Sequence, residues 1–393
     1  MKSKNEPRPR PEDLVAKDES NTIKTARTMP ASFYRSQDLY ERSRDEIFAR
    51  SWQFIGDTNS LLSGPVEANV VPFTILEGCL DEPCILIRDQ AAQDSGAARD
   101  SGEASESAKF QCYSNVCTHR GSVLVEKACQ VSSMRCRYHG RRFGLDGCFV
   151  SAPGFEQAEH FPSERDNLAK IPMEQWGQFH FASINPAFEL DELIGAMKKR
   201  LEFLPIDEFK FSPELSKDYF INANWALYVD NYLEGLHVPF VHPSLATLLD
   251  TKSYRTELLP YGNVQIGVAA NEEDAFDLPT SSPDHGQLIA AYYYWLYPNM
   301  MFNFYPWGLS INVVTPQSHK TTRVRFLTYV WRPERFGNYS TESINQTEME
   351  DEEVVHAVQR GIQSRAYQSG RYSPTWEAGV YQFHQLIGKS LSF

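Results

Sequence analysis

The 393-residue chain has no excess of basic residues, with 38 Lys and Arg against 51 Asp and Glu and a formal charge of -13. Without a basic face it lacks what phosphate binding requires, and nucleic acid is excluded as an expected partner. It also has no unbroken apolar run of membrane length. The most apolar long stretch, Tyr292 to Leu309, is interrupted by Pro298, Asn299, Asn303 and Pro306, so it reads as strands and a turn, and no membrane association is expected. The first residues are polar and proline-containing with no apolar h-region, which predicts no secretory leader and a cytoplasmic protein. No GxGxxG follows a strand-like run, so no nicotinamide or flavin domain is evident. Cysteine is sparse at seven. Five of them, Cys79, Cys84, Cys112, Cys129 and Cys148, are expected as reduced core or loop thiols.

What is present is concentrated in two places. In the first, CTHRGSVLVEKACQVSSMRCRYHG, a CxH pair (Cys117, His119) precedes a CxxH pair (Cys136, His139), with a glycine close after each. Two thiolates and two imidazoles from two short loops can hold a structural zinc, or a two-iron cluster in which histidines replace two cysteines on one iron. Zinc sites more often group Cys with Cys and His with His. Here each loop supplies one of each, which favours the cluster.

The second is NWALYVDNYLEGLHVPFVHP, read as a helix from Trp225 to about Val238. Glu234 and His237, three apart, share a face, and Asp230 lies one turn earlier on the same side. Pro239 turns the chain so that His242 can return towards His237. Two histidines need one carboxylate to complete a facial triad that leaves positions on iron open for dioxygen. A long helix from about Thr347 to Ala366 offers it within EMEDEE. Val354, Val355, Val358 and Ile362 fall on one stripe with Asp351 near its centre, and Glu348 is the rival at its edge. Glu350, Glu352 and Glu353 are expected on a solvated face. A lone HxxxxH is more often structural than metal-binding, so this site leans on the first motif. His160, His180, His285, His319, His356 and His384 are expected as structural or exposed.

Residues 1–30 read as a flexible arm with little that could form a core. A helix across 31–50, capped by Ser36 and carrying Leu39, Ile47 and Phe48, is expected to pack on the second domain. Short β-rich runs fill 51–188, interrupted by an Ala/Ser/Gly-rich insertion at 90–109, and RRFGLDGCFV reads as a hairpin around Asp146-Gly147. Residues 189–393 mix strands and helices, so periodicity gives an α+β class.

The ligand type, order and spacing of Cys117, His119, Cys136 and His139 resemble the Rieske [2Fe-2S] domain, and the downstream helix resembles the catalytic domain of Rieske non-heme iron oxygenases. The resemblance implies an all-β Rieske domain followed by an α+β helix-grip domain built on an antiparallel sheet. It implies that Cys117 and Cys136 bind the inner iron, His119 and His139 the outer one, and that His237, His242 and Asp351 hold a mononuclear Fe(II). Ser122 and Tyr138 stand where respiratory Rieske proteins carry a disulfide, which points to the oxygenase branch.

The family further implies a separate NAD(P)H-dependent flavin or iron-sulfur reductase, with or without a ferredoxin, together with O2 and a small organic substrate. Electron transfer between neighbouring subunits implies a homotrimer. The bridging carboxylate would be Glu234, where many aromatic-ring dioxygenases have Asp; Asp230 and Asn231 join it as candidate catalytic residues. Glu234, Leu296 to Asn299 (LYPN) and Val358 to Gly361 (VQRG) look like the branch that oxidises choline, glycine betaine and carnitine. Tyr294, Phe302, Phe304 and Trp307 are the candidate cation cage, against their alternative as strand core. The other readings are an aromatic-ring hydroxylating dioxygenase and a non-catalytic Rieske electron carrier.

Overall fold

This computed structural model describes residues 22–61, 68–88, 110–242, 253–336 and 341–392. The expected insertion 90–109 and the first 21 residues of the expected arm lie outside them. The chain divides into two compact units, Trp52–Pro186, and Met1–Ser51 together with Ala187–Phe393. Among the described residues no helix is long and apolar enough to cross a membrane.

The chain opens within the larger unit with α1 (Ala31–Arg35) and α2 (Gln37–Glu46). Ser36 caps α2 by accepting the Leu39 N–H at 3.2 Å, satisfying one donor that the first helical turn leaves over. The arm is not core-free at its end. Ala26 and Met29 are buried, and Thr28 Oγ1 accepts the Gly370 N–H at 2.8 Å while Arg27 Nε donates to Ser369 Oγ at 2.8 Å. A single methionine and two polar side chains anchor a stretch that composition alone assigned to solvent.

The smaller unit is a set of three-stranded antiparallel sheets. Its elements are β1 (Gln53–Asp57), a short α3 (Thr58–Leu61), β2 (Val70–Ile75), β3 (Glu82–Arg88), β4 (Phe110–Ser114), β5 (Met134–Arg135), β6 (Arg142–Phe143), β7 (Phe149–Ser151), β8 (Met173–Trp176) and β9 (Phe179–Ala182). The sheets run β1-β9-β8, β2-β3-β4 and β5-β6-β7. Val70, Ile85, Ile87, Tyr113, Met134 and Phe143 form one core, and Cys117 and Cys136 belong to it. Burying each such apolar side chain stabilises the unit by roughly 1.5–3 kcal/mol. The motif loops are therefore tethered to the core through their thiols.

In the larger unit follow α4 (Leu190–Arg200), β10 (Lys210–Ile221), α5 (Trp225–Tyr232), α6 (Val238–Val241), β11 (Arg255–Leu259), β12 (Gly262–Val268), β13 (Ile289–Leu296), β14 (Met300–Tyr305), β15 (Gly308–Pro316), β16 (Thr322–Val330), α7 (Thr341–Gly361) and α8 (Ala378–Ser390). The seven strands make one antiparallel sheet, β10-β16-β15-β14-β13-β12-β11. Every residue of β14 and β15 is buried, so these central strands are covered on both faces. That is why the sequence there is nearly continuous in apolar side chains. α5 packs on α7 and β15, and α8 on β11 and β12.

Expected helices differ in their bounds, and the one expected across 31–50 breaks at Ser36 into α1 and α2 because Ser36 is extended. α5 ends at Tyr232, six residues early, because Gly235 and the restriction that Pro239 places on Val238 both oppose continuation. α7 spans Thr341–Gly361 rather than Thr347–Ala366. Its first turns lack the apolar stripe that signals a helix, and it stops at a glycine.

The β6–β7 hairpin closes as expected, with Phe143 opposite Phe149 and Gly147 at φ 76°. A β-carbon there would stand 2.6 Å from the buried Tyr113 ring. Gly147→Ala therefore combines backbone strain with a clash and should cost about 2 kcal/mol or more; thermal melts of the purified protein should show a lower transition temperature, and an unchanged one would contradict the packing described.

Candidate metal centres

The two motif loops of the smaller unit have the same local geometry. The Gly121 N–H donates to the Cys117 carbonyl at 3.0 Å, and the Gly140 N–H to the Cys136 carbonyl at 3.0 Å. Each turn requires a left-handed residue at its close, and Gly121 (φ 69°) and Gly140 (φ 77°) supply it without side-chain strain. The loops begin alike too, since the Cys117 N–H donates to the Ser122 carbonyl and the Cys136 N–H to the Arg141 carbonyl, both at 2.8 Å. Asn115 holds the first loop from below through paired bonds to Val125, at 2.7 and 2.9 Å.

Within this frame Cys117 and Cys136 are buried and their thiols hydrogen-bond each other. His139 is exposed and His119 half-buried, their rings 4.7 Å apart. The backbone N–H of His119 donates to the Cys117 sulfur, and those of Tyr138 and His139 to the Cys136 sulfur, which Ser122 also reaches. Donors aimed at sulfur favour the thiolate, the form a metal takes. Two core-facing thiols with two outward imidazoles fit a cluster with unlike irons. Arg141, buried beneath the loops, donates to Thr118 Oγ1 at 2.7 Å and pairs with Asp166 at 3.2 Å. Its guanidinium lies 5.1–5.3 Å from the centroids of Phe149, Phe155 and Phe161. A buried charge so paired is held in one position, and it ties both loops to the segment carrying Asp166.

In the larger unit, α5, α6 and α7 bring His237, His242 and Asp351 together, with one ligating atom from each within 4.8 Å of the others. His242 Nε2 is 3.0 Å and His237 Nε2 3.5 Å from Asp351 Oδ1. Both imidazoles are held from behind. Glu234 Oε1 is 2.7 Å from His237 Nδ1, and Glu350 Oε2 is 2.8 Å from His242 Nδ1. A carboxylate at Nδ1 keeps the proton there and presents the Nε2 lone pair, the orientation a metal requires. Such a donor set, two imidazoles and one carboxylate, suits non-heme Fe(II) with open positions. Burial disfavours a charged His242, but its bonds to Asp351 and Glu350 outweigh this and raise its pKa in the metal-free chain.

The cavity beside these residues measures about 220 Å³. Its walls are Tyr228, Tyr232, Tyr254, Tyr293 and Tyr305 with Phe326, interleaved with Asn231, Gln265, Asn303, Asn312 and Glu348. Several sequence expectations change here. Tyr294, Phe302, Phe304 and Trp307 are fully buried and do not line the cavity. Successive strand residues face opposite sides, and β13 and β14 present Tyr293, Asn303 and Tyr305 instead. Glu350, expected on a solvated face, orients His242. Glu348 is buried but is no member of the ligand group; its Oε2 accepts from Tyr228 Oη at 2.7 Å.

Asp230 and Glu234 face one second cavity, together with His237 and His384, although the helix ends between them. Asp230 accepts from Tyr34 Oη at 2.7 Å and lies 2.9 Å from His384 Nε2. Asn231 does reach the cavity. The signal for the tyrosines lay in strand parity, since Asn303 within MMFNFY marks the polar face of β14.

Two family models match, the Rieske [2Fe-2S] domain at residues 75–162 and the ring hydroxylating alpha subunit catalytic domain at 206–392. The chain is 29% identical to the chloroplastic choline monooxygenase of Arabidopsis thaliana, over 94% of this chain and 84% of that protein. It is 26% identical to the carnitine monooxygenase oxygenase subunit of Escherichia coli strain K12, over 92% and 93%. Its fold resembles that of a quaternary ammonium Rieske monooxygenase solved with an inhibitor, at TM-score 0.71 and 23% identity, covering 98% of this chain and 99% of that one.

Truncation of Glu350 to Ala should weaken Fe(II) binding at the His237–His242–Asp351 group about 10- to 100-fold while leaving the iron and sulfide of the smaller unit unchanged; equilibrium iron titration resolves the two. Because metal must displace the His242 proton, affinity at this group should fall roughly tenfold per pH unit once the pH drops below the raised His242 pKa.

Proposed function

The chain carries the domain pair of Rieske oxygenase alpha subunits, a Rieske [2Fe-2S] domain and a mononuclear-iron catalytic domain, and from that premise we propose that it is the terminal oxygenase component for a small quaternary ammonium substrate. In this reading Cys117, Cys136, His119 and His139 hold the cluster, and His237, His242 and Asp351 hold Fe(II). When bound, the two groups supply one-electron transfer and dioxygen activation. The observation that carries the reading is the convergence of both Nε2 atoms on Asp351 in a chain whose other unit presents the paired Cys–His loops.

The residues divide the remaining work. Glu234 and Glu350 fix the imidazoles, and Glu234 is also the candidate bridge to a cluster histidine of a neighbouring copy in a homotrimer. Asn231 stands at the cavity wall beside the ligand group. The five tyrosine rings offer π faces to an alkylammonium, which prefers such faces to bulk apolar surface. Tyr228, Tyr232 and Tyr254 have their hydroxyls engaged by Glu348, Asn303 and Gln265 at 2.7, 2.6 and 3.0 Å, so their orientation is set. The relatives named for choline and carnitine support the ammonium assignment. Electrons come from a separate reductase, with or without a ferredoxin, and O2 is the co-substrate. Exposed His139, with the Tyr138 ring tilted against it at 3.7 Å, is the candidate docking point.

Purified holoprotein should contain three irons and two acid-labile sulfides per chain; two of each, with no oxygen uptake, would make it an electron carrier instead. With a reductase and NAD(P)H, oxygen uptake should track consumption of a quaternary ammonium compound across a panel that includes aromatic hydrocarbons, with formaldehyde released wherever an N-methyl carbon is the one oxidised. Uptake coupled only to the aromatics would replace the ammonium reading with ring hydroxylation. Glu234→Gln should keep both metal centres and lose nearly all coupled turnover, and normal turnover would remove the bridging role.

A further inference from the structure

Four carboxylates line the cavity, Glu234, Glu348, Glu350 and Asp351, and its described walls include no lysine or arginine. Three of the four are engaged with imidazoles, Glu234 with His237, Glu350 with His242, and Asp351 with both. Glu348 is different. It is 4% exposed, its Oε2 takes the Tyr228 hydroxyl, and its Oε1 has no hydrogen-bond partner among the described residues. A buried oxygen without a partner is costly to keep unless a ligand completes it. It belongs to the same wall as Tyr228, whose ring and hydroxyl connect the carboxyl to the aromatic lining.

We infer that Glu348 is the counter-charge for the substrate, and that the substrate is a small ammonium cation carrying no carboxylate of its own. The inference rests on the quaternary ammonium reading above and narrows it. A trimethylammonium group offers no N–H, so it is held by π faces and by a nearby negative charge rather than by a hydrogen bond. The tyrosine rings supply the first and Glu348 the second. The described walls hold no lysine or arginine to receive the carboxylate tail of a zwitterionic ammonium; the one cation that could take it is Fe(II) on His237, His242 and Asp351, where the tail would occupy positions needed for dioxygen. In the unliganded chain burial holds the Glu348 carboxyl well above the usual carboxylate range. An arriving cation reverses that preference, so the charge is present when the ligand is.

The test is calorimetric binding to anaerobic holoenzyme of choline, its neutral carbon isostere of the same size, 3,3-dimethylbutan-1-ol, and the larger zwitterion carnitine. Wild type should bind choline at least about tenfold more tightly than the neutral isostere, with carnitine weaker than choline. In Glu348→Gln the neutral isostere should bind as in wild type while choline loses most of its advantage, the tyrosine faces retaining the remainder. Glu348→Asp keeps the charge and should keep much of the preference, which separates loss of charge from damage to the wall. Full choline preference in Glu348→Gln, or carnitine tighter than choline in wild type, overturns the inference and leaves the ammonium reading standing. Failure of both amines to bind where an aromatic hydrocarbon does would overturn both.

Discussion

Each imidazole at the cavity is pinned from behind by a carboxylate, and the metal-facing geometry depends on those two contacts. Without Glu234 and Glu350, His237 and His242 would be free to rotate about their side-chain bonds, and either ring nitrogen could carry the proton. With them, both Nε2 atoms converge on Asp351. The backbone alone does not achieve this. His237 comes just before the short helix α6 and His242 just after it, in a stretch where regular helix has already ended. The constraint is therefore supplied by Glu234, in the turn after α5, and by α7, whose Glu350 and Asp351 are adjacent residues, one orienting and one converging.

The smaller unit solves a related problem with covalent economy. Its two loops share a five-residue turn, and the thiols point into the core while the imidazoles point out. The sulfur atoms are surrounded by backbone donors. The histidines meet solvent and aromatic neighbours, Phe155 beside His119 and Tyr138 against His139. One side is dry and electrostatically prepared, the other accessible. That polarity suits a centre that exchanges electrons on its outward side.

Much of this was legible in the sequence because the ligands sit in compact local patterns. The Cys–His loops span a few residues each, and Asp351 was found by projecting α7 onto its apolar stripe. What escaped depended on reach and parity. Glu350 is one residue, about 100°, away from that stripe, yet its longer side chain bends back to His242; helical projection treats every side chain as a fixed spoke. The expected cage failed by a single position along the strands, since a one-residue shift exchanges the two faces of a sheet. Tyr294, Phe302 and Phe304 were right in kind and wrong in side. The partners of Asp230 escaped because Tyr34 and His384 come from opposite ends of the chain. The Ala26–Met29 anchor likewise pairs with residues near 370, beyond any local window.

The turns closed by Gly121 and Gly140 are shaped by main-chain bonds and core-anchored thiols. Because each closing residue sits in left-handed backbone, any side chain placed there would disturb the same turn that fixes its cysteine, so the two glycines matter to the sulfur positions although neither touches them.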